Sequence, residues 1–230
     1  MTCLIKVLGE EGLANEALAA FHRMKQFHCK PDVFSYNTTI NALCKVNNFK
    51  MAKFLFEQME LPGFRCPPDT FTYTILISSY CKSAFKLHTY RISRALELFN
   101  DMIKQDCLPN RVTYNSFIRY YCAINEIDKG IEMLRKMEEL RHGVGSTSSY
   151  TPIIHGLCEA GRVLEAWDVL VELVERGSIP REYTYKLVYE MLKSLGRIDL
   201  LDNGVCGRIE EGIKNRCKQV MKVKPIFNVT

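Results

Sequence analysis

The sequence contains no apolar run that approaches the roughly 18–20 residues needed to cross a bilayer, which excludes a helical membrane protein. It contains no Gly-rich phosphate loop, no H-E-x-x-H, no G-x-S-x-G and no zinc-deaminase signature, so its motifs predict no enzyme. Its N-terminus lacks both a secretory h-region and an Arg/Ser-rich transit segment. With 47% hydrophobic and 25% charged residues, the 230-residue chain has a globular composition, which excludes disordered, collagen-like and coiled-coil classes.

Metal-binding motifs are missing as well, although the chain has ten cysteines. No two cysteines form a C-x-x-C pair, and the five histidines lie apart from one another. We therefore expect no metal and no other cofactor, and without a secretory signal we expect the cysteines to be reduced thiols. The 31 Lys and Arg residues exceed the 26 Asp and Glu residues, and the net charge of +5 permits an acidic partner such as RNA.

A period of about 35 residues is the strongest pattern in the sequence. Tyrosines that follow Ser or Thr recur at spacings of 37, 41, 36 and 35 residues, and methionines form a second series in the same register. The two series are Tyr36, Tyr73, Tyr114, Tyr150 and Tyr185, and Met24, Met59, Met102 and Met137. We expect both series to lie in the core, together with Trp167 and with four cysteines that share one repeat position, Cys44, Cys81, Cys122 and Cys158.

Each repeat has the pattern of two helices. Tyr36, Ile40 and Leu43 fall at i, i+4 and i+7, which places them on one face of a first helix. A turn and a second amphipathic helix follow, and Gly or Pro ends that helix. One hairpin cannot bury its apolar face alone, so we predict an all-α fold, a right-handed α-solenoid of stacked helix-turn-helix repeats. Ser or Thr stands where the cap of each first helix is expected, at Ser35, Thr72, Thr113, Ser149 and Thr184.

The predicted array covers residues 1–200, in repeats of about 1–32 (truncated), 33–69, 70–110, 111–146, 147–181 and 182–216 (degenerate). Insertions are expected around Leu61-Pro62-Gly63 and from Phe85 to Arg91, where the second one would lengthen the turn between two helices. Met1 stands at a position inside a repeat, so we expect either a fragment of a longer array or a shortened gene product. Residues 201–230 predict a terminal basic helix and tail, which is either a solvated end or an auxiliary contact to an RNA backbone.

Three segments carry a resemblance to a known family. Residues 33–45 read VFSYNTTINALCK, residues 112–118 read VTYNSFI, and residues 154–162 read IHGLCEAGR. They closely follow the pattern V-V-T-Y-N-T-L-I-x-G-L-C-K-x-G of pentatricopeptide repeats of the plain plant type, which the chain resembles over residues 1 to about 200. The tetratricopeptide repeat, which binds peptides, is less similar because it lacks the Tyr-Asn/Thr and Leu-Cys-Lys elements.

The resemblance implies an array that reads single-stranded RNA at about one base per repeat. In the family, the fifth and last residues of each repeat select the base, and here those pairs are Thr2 and Asp32, Asn37 and Asp69, Thr74 and Asn110, Asn115 and Ser146, and Thr151 and Arg181. They resemble readers of G, U, A, C and an undefined base, for which Thr151 favours a purine. The implied target is 5′-GUAC-purine, bound with the N-terminus towards the 5′ end. Taken singly, Asn or Thr near a helix start is typical of a local backbone hydrogen bond, and only recurrence in register favours recognition.

Two further sets of residues follow from the resemblance. The second residue of each repeat is expected to stack on bases, at Phe34, Phe71, Val112 and Tyr183, with Ser148 as a poor substitute in the fifth repeat. The lysine that ends the Leu-Cys-Lys element is expected to contact phosphate, at Lys45 and Lys82. Glu10, Ala123 and Glu159 replace it elsewhere, and the two acids should weaken binding and flatten its salt dependence.

Three functions remain open from the sequence. The first is sequence-selective binding of single-stranded RNA in organellar RNA processing, stability or translation, in a mitochondrion or, as the alternative, a plastid. The second is a protein-interaction α-solenoid that binds a protein partner or itself and ignores RNA. The third is a decayed gene product without activity. No membrane partner is expected, and the ligand of the concave face, RNA or peptide, distinguishes the first two.

Overall fold

The computed structural model describes residues 1–61, 66–87, 90–139 and 145–223, and the side chains of residues 25, 85–87 and 219–223 fall outside that description. Within these ranges the chain consists of helices and short turns, without a β-strand. The α-helices are α1 (Thr2–Glu10), α2 (Ala14–Arg23), α3 (Val33–Lys45), α4 (Phe49–Met59), α5 (Thr70–Leu87), α6 (Tyr90–Lys104), α7 (Arg111–Ala123), α8 (Ile127–Glu139), α9 (Thr147–Glu159), α10 (Val163–Glu175), α11 (Glu182–Ser194) and α12 (Asn203–Val223). Two short 3-10 helices, Met24–Phe27 and Ile198–Leu200, follow α2 and α11.

The chain divides into two compact units, Met1–Tyr120 and Tyr121–Thr230, and each is described by itself. In the first unit, α1, α3 and α5 pack side by side, and each also packs on the helix that follows it in the chain. In the second unit, α9 packs on α8, α10 and α11, and α12 packs on α10. Neighbouring hairpins therefore bury the apolar faces that a single hairpin would leave exposed.

The residues predicted to form the core are buried, which confirms that prediction. The repeat tyrosines expose at most 7% of their surface and the methionines of the second series at most 3%, and Trp167 and the four cysteines are buried too. In the first unit, a phenylalanine of each second helix meets the tyrosine of the next repeat edge-on. The ring centroids lie 4.7 Å apart for Phe21–Tyr36, 5.3 Å for Phe56–Tyr73 and 5.6 Å for Phe99–Tyr114. Each such pair contributes about 0.5–1.5 kcal/mol beyond its buried area, so these contacts join successive repeats.

The first helices begin two residues before the Ser or Thr that was predicted to cap them, and the N-cap lies one residue earlier still, so that prediction is wrong. Asp32 is the N-cap of α3, and its Oδ1 accepts the backbone N–H of Ser35 at 2.8 Å. Asp69 and Asn110 accept the corresponding N–H groups of α5 and α7. The five Ser and Thr residues instead lie inside the first turn with 0% exposure. Asp and Asn are at least as good as Ser and Thr as caps, so the earlier start is compatible with local preference.

The insertion predicted in the third repeat does not lengthen a turn. α5 continues to Leu87 and α6 begins at Tyr90, so the described extra residues extend both helices. α5 has 18 residues and α6 has 15, whereas α3 has 13 and α4 has 11. The segment has no Gly or Pro to end a helix. Elsewhere the turn between two helices contains a residue in the left-handed region, such as Asn47 (φ 61°) or Gly161 (φ 76°).

Other expectations concern segments that the structure describes only in part. Of Leu61-Pro62-Gly63, Leu61 alone lies within the described residues. The helix α12 occupies most of the predicted basic terminal segment, and residues 224–230 lie outside the description. Among the described helices, none is both long and apolar enough to span a membrane.

Candidate RNA interface

The residues predicted to stack on bases are exposed on the first turns of their helices. Phe34, Phe71, Val112 and Tyr183 expose 59, 66, 58 and 50% of their surfaces. The next residue in each case, a Ser or Thr, is fully buried, because successive residues of a helix point in different directions. Single exposed apolar residues are ordinary, and here large ones recur at one repeat position.

In the first unit, a groove of about 560 Å³ is lined by residues of α1, α3 and α5. Phe34 and Phe71 line it, together with the predicted selecting pair, Asn37 and Asp69, and the predicted phosphate ligand Lys45. The structure therefore brings together one complete set of the stacking, selecting and phosphate-contacting residues that the resemblance implied.

Asn37 and Asp69 are joined directly by a hydrogen bond. Asn37 Nδ2 donates to Asp69 Oδ1 at 3.1 Å, and the same oxygen accepts the backbone N–H of Thr72 at 2.8 Å. The Thr72 hydroxyl lies between the pair, 2.7 Å from Asn37 Oδ1 and 2.8 Å from Asp69 Oδ1, and it accepts the Asp69 N–H at 3.1 Å. The Asp69 side chain thus caps α5 and also holds the amide of Asn37.

Thr2 and Asp32 are connected through Ser35. Thr2 Oγ1 lies 3.1 Å from Ser35 Oγ, and the Ser35 hydroxyl donates to Asp32 Oδ1. The hydroxyl and the backbone N–H of Ser35 hold the pKa of Asp32 below its usual value, so its carboxylate is charged and acts only as an acceptor. Because the single proton of the Ser35 hydroxyl goes to Asp32, Thr2 donates its own proton to Ser35. The lone pairs of the Thr2 hydroxyl are left for a ligand.

Thr74 and Asn110 both lie beside the Thr113 hydroxyl. Thr113 Oγ1 lies 2.9 Å from Thr74 Oγ1 and 3.2 Å from Asn110 Oδ1, and its single proton serves one of these two contacts. The Thr113 N–H donates to Asn110 Oδ1 at 3.0 Å, and the Thr74 hydroxyl donates to the Thr70 carbonyl at 2.7 Å. Three successive repeats thus place a buried hydroxyl between the two predicted selecting residues. Sequence reasoning missed this role because it treated the same Ser and Thr residues as caps.

Asn115 and Ser146 belong to different compact units, and each is described within its own unit. Asn115 is buried on α7, with 7% exposure. Ser146 is the N-cap residue of α9, and its hydroxyl lies 2.8 Å from that of Ser148. That Asn115 and Ser146 select one base together stays a prediction.

The fifth repeat has a different arrangement. The Thr151 hydroxyl donates to the Thr147 carbonyl at 2.7 Å. Arg181 is the N-cap residue of α11 but makes no side-chain cap hydrogen bond, because arginine has donors and no acceptor. Its Nη1 donates to the Tyr183 hydroxyl at 3.3 Å, and its guanidinium carbon lies 6.0 Å from the centre of that ring. Among the described contacts of this repeat, none links Thr151 to Arg181.

His155 is a residue of this repeat that sequence reasoning missed. It occupies the ninth position of its repeat, the position of Lys6 and Asn41, which line the groove of the first unit. Its Nε2 lies 3.1 Å from Thr184 Oγ1, and its ring meets Tyr183 edge-on at 5.4 Å. Burial lowers the pKa of His155, so the imidazole is neutral near pH 7. Its repeat position was the signal that could have identified it.

The predicted phosphate ligands Lys45 and Lys82 are both exposed. Lys45 Nζ also donates to the Gly9 carbonyl at 3.3 Å, where α1 ends, so it satisfies a helix terminus and places a positive charge at the groove. Glu10, one of the acids at this repeat position, lies 3.9 Å from Lys6 in an exposed ion pair. Lys6 thus places a positive charge beside Glu10 at the groove.

Comparison with known proteins gives one family. The model of the PPR repeat family matches residues 1–45, 31–82 and 145–192, and a model of the PPR repeat matches residues 105–138. A pentatricopeptide repeat-containing protein of Arabidopsis thaliana is 51% identical to this chain over 98% of its length, and the chain covers 58% of that relative. A second one, a mitochondrial protein of the same plant, is 31% identical over 78% of this chain and 36% of its own length.

The solved structure of the pentatricopeptide repeat protein PPR10 from maize matches with a TM-score of 0.63 at 20% identity, over 98% of this chain and 34% of PPR10. The structure of PPR10 in complex with an 18-nt psaJ RNA element matches with the same TM-score. These likenesses confirm the predicted fold class, an all-α solenoid of helix-turn-helix repeats. With repeat models over more than half of its length and a relative at 51% identity, the chain belongs to the pentatricopeptide repeat family.

Proposed function

We propose that this chain binds single-stranded RNA in a sequence-selective way, at one base per repeat, and that binding is its whole activity. The observation that carries the proposal is the groove of the first unit, where two exposed phenylalanines accompany the hydrogen-bonded pair Asn37 and Asp69. An unpaired base has flat faces and an edge of donors and acceptors, and the groove offers a partner for each. A duplex hides those edges, so a single strand is the form of RNA that fits.

Phe34 and Phe71 supply the apolar contact to the base. Both side chains are more than half exposed, so a base that stacks on them removes apolar surface from water. Stacking on an aromatic residue contributes about 1–3 kcal/mol per base and tolerates any base. Val112 and Tyr183 offer an equivalent apolar contact at later repeats, and selection depends on the polar pairs.

The hydrogen bonds of the first repeat suit guanine. Thr2 presents lone pairs, and Asp32 presents its second carboxylate oxygen, so both residues act as acceptors. The Watson–Crick edge of guanine places the N1–H and N2–H donors side by side, whereas adenine and cytosine have an acceptor nitrogen in the middle of that edge. This physical argument supports the base that the family's rules assign to Thr2 and Asp32.

The hydrogen bonds of the second repeat suit uracil. After its bonds to Asp69 and Thr72, Asn37 retains one N–H and one lone pair for a base. Uracil offers the complementary carbonyl oxygen and N3–H. The second carboxylate oxygen of Asp69 adds an acceptor, which favours the N3–H of uracil over the N3 lone pair of cytosine.

The complete proposed target is 5′-GUAC-purine. The third, fourth and fifth bases are assigned to Thr74 and Asn110, Asn115 and Ser146, and Thr151 and Arg181. Lys45 and Lys82 contact phosphates in this proposal, and Glu159 opposes such a contact in the fifth repeat. The basic helix α12 is an auxiliary site for the RNA backbone.

A mitochondrial site of action, with a plastid as the alternative, completes the proposal, in RNA processing, stability or translation. One relative is a mitochondrial protein, and the structural neighbour PPR10 has been solved with a bound RNA element. Since the chain spans 58% of the length of its relative, the proposal concerns recognition by the repeats present here.

Fluorescence anisotropy with a labelled single-stranded RNA that carries GUAC tests this function, with CAUG and a GUAC duplex as competitors at two salt concentrations. We expect GUAC to bind at least about tenfold more tightly than CAUG, since each mismatch costs roughly 1–3 kcal/mol. The double variant Phe34→Ala, Phe71→Ala should weaken binding about tenfold or more. Phe54→Ala is the matched control, because Phe54 is 48% exposed on α4 and does not line the groove. Equal and weak binding of all three RNAs would refute the proposal, and tight peptide binding without RNA binding would establish the protein-interaction alternative.

A further inference from the structure

We propose that Thr72 is a positioning residue for the base read by Asn37 and Asp69, and that its hydroxyl fixes which atoms of the Asn37 amide face the RNA. Ser35 and Thr113 act in the same way on the selecting pairs next to them. This inference rests on the proposed function and adds a third residue per repeat that controls selectivity without touching RNA. We call the side-chain hydroxyls of these three residues the hydroxyl bridge.

Thr72 contacts both selecting residues and no solvent. Its exposure is 0%, so it cannot touch RNA itself. Its Oγ1 lies 2.7 Å from Asn37 Oδ1, while Asn37 Nδ2 lies 3.1 Å from Asp69 Oδ1. The two ends of one amide group are thus held by two different partners, a hydroxyl donor and a carboxylate acceptor. Only one of the two orientations of the amide satisfies both, so the bridge sets the donor and acceptor that remain for the base.

Capping of α5 accounts for only part of the contacts of the hydroxyl, which accepts the Asp69 N–H at 3.1 Å and also contacts Asn37. The cap hydrogen bond is made by the backbone N–H of Thr72, which any residue except proline supplies. Valine at this position would keep the Thr72 N–H bond to Asp69 and nearly the same volume, and would lose the hydroxyl together with the bond that it accepts from the Asp69 N–H. Asn37 Oδ1 would then lose the hydroxyl donor, and the amide would keep only its hydrogen bond to Asp69. The two roles are separated by the measurement, because loss of the cap bond lowers stability for every RNA alike, whereas loss of the bond to Asn37 changes the preference at one base.

The same arrangement recurs at the neighbouring repeats. Ser35 is fully buried, with its Oγ 3.1 Å from Thr2 Oγ1, and Thr113 is fully buried, with its Oγ1 2.9 Å from Thr74 Oγ1. In each case the hydroxyl also contacts the Asp or Asn that ends the preceding repeat. Three repeats with different selecting residues share one bridging geometry, which is expected if the bridge serves selection in general.

The fifth repeat provides an internal contrast. Thr184 is also fully buried, but its hydroxyl lies 3.1 Å from His155 Nε2. Arg181 has no acceptor to offer it, and among the described contacts none links the Thr184 hydroxyl to Thr151. The bridge thus forms where the last residue of a repeat is Asp or Asn, and we expect weak discrimination at the fifth base.

The test compares Thr72→Val with Thr72→Ser and Thr39→Val in the full chain. Thr39 is a matched control, because it is also 0% exposed on α3 and its hydroxyl donates at 2.8 Å to the backbone carbonyl of Ser35. Anisotropy measures the affinities of GUAC, GCAC, GAAC and GGAC, which differ at the second base, and of the set that differs at the third base. Circular dichroism confirms that each variant is folded.

Thr72→Val should lower the preference for U at the second base about fivefold, the net worth of one hydrogen bond, and leave the preference at the third base unchanged. Thr72→Ser and Thr39→Val should keep both preferences. A purely structural role would weaken all RNAs equally and change no preference.

The outcomes separate this inference from the proposed function. A wild-type chain without a preference at the second base refutes the proposed function and the bridge with it. A wild-type chain that prefers U, together with a folded Thr72→Val variant that keeps the full preference, refutes the bridge alone. If Thr72→Val does not fold, Thr113→Val decides in the same way: relaxed selection at the third base supports the bridge, and unchanged selection refutes it.

Discussion

Asp69 takes part in helix capping and in the proposed base selection, and two substitutions should separate these roles. Its Oδ1 accepts the Thr72 N–H at 2.8 Å and Asn37 Nδ2 at 3.1 Å. Asp69→Ala removes the acceptor for both donors. Asp69→Asn keeps Oδ1, and with it the cap, but replaces the second carboxylate oxygen by an amide group that donates.

The expected change in stability follows from the cap. Loss of an Asp cap costs about 0.5–2 kcal/mol of the free energy of unfolding. Thr72 is fully buried, so water does not replace the lost acceptor of its N–H, which favours about 1–2 kcal/mol for Asp69→Ala. At about 2–4 °C per kcal/mol for a chain of this size, the Tm should fall by about 2–8 °C. Asp69→Asn should stay within about 0.5 kcal/mol of the wild type, since Asn and Asp cap equally well.

The asparagine variant, which should keep its stability, is expected to change its base preference. Asp69→Asn should move the preference at the second base from U towards C, because the new N–H pairs with the N3 lone pair of cytosine and opposes the N3–H of uracil. Thermal denaturation and anisotropy with GUAC and GCAC measure the two effects. Asp101→Ala is the control, since this half-exposed acid on α6 pairs with the exposed Lys104 at 3.2 Å. An Asp69→Asn variant that still prefers U, or an Asp69→Ala variant with an unchanged Tm, would contradict the reasoning.

Four other substitutions test the same set of contacts. Asn37→Thr should shift the preference at the second base from U towards G, because it creates the Thr and Asp pair that the first repeat has. Competition between GUAC and GGAC measures the shift, and a retained preference for U would contradict the proposed base assignments. Lys82→Gln should reduce the slope of log K against log salt by about 1, and an unchanged slope in a salt titration would exclude a phosphate contact. The pKa of Asp32 is lowered in the folded chain, so its charge stabilises the fold above the unfolded-state pKa, and this contribution is lost as the pH falls through the folded-state pKa. Asp32→Asn should therefore lose less stability than the wild type between about pH 7 and about pH 3 in urea denaturation, and equal losses would exclude this linkage. Arg181→Asp should cap α11 and raise the Tm, and a Tm that does not rise would show that this helix start needs no cap. With Thr151 it also creates the pair of the first repeat, so it should create a preference for G at the fifth base.

The helices and the core could be predicted because one period governs both. A residue that recurs about every 35 positions has the same environment in each hairpin, so the series of Tyr36 and Met59 reveal the buried face of the repeats. The exposure of Phe34 beside the buried Ser35 follows from helix geometry once the start of the helix is known.

The start of the helix could not be predicted from local sequence. Asp32 and Ser35 are both good cap residues, three positions apart, and local preference does not choose between them. The observed N-cap, Asp32, agrees with a tertiary contact. The Ser35 hydroxyl is buried against Thr2 of the preceding repeat, and the Ser35 N–H donates to Asp32. The contact of His155 with Tyr183 also joins residues of successive repeats, which a pattern within one repeat does not show.

The double use of the last residue explains why a small set of side chains occupies that position. A residue that caps the next first helix places an oxygen on the N–H three positions along, which Asp, Asn and Ser side chains can do. Asp32, Asp69 and Asn110 do so here, whereas Ser146 makes no side-chain cap hydrogen bond. Asp, Asn and Ser side chains offer a base three different patterns, an acceptor only, a donor with an acceptor, and a hydroxyl. In the proposed code, a repeat can therefore change its base and keep its cap only within this set. Arg181 lies outside the set, and there the side-chain cap is absent and the Thr184 hydroxyl contacts His155 instead of a selecting residue. In the proposed code, the last residue of a repeat thus meets two demands, the cap of the next helix and the contact to a base, and Asp and Asn meet both.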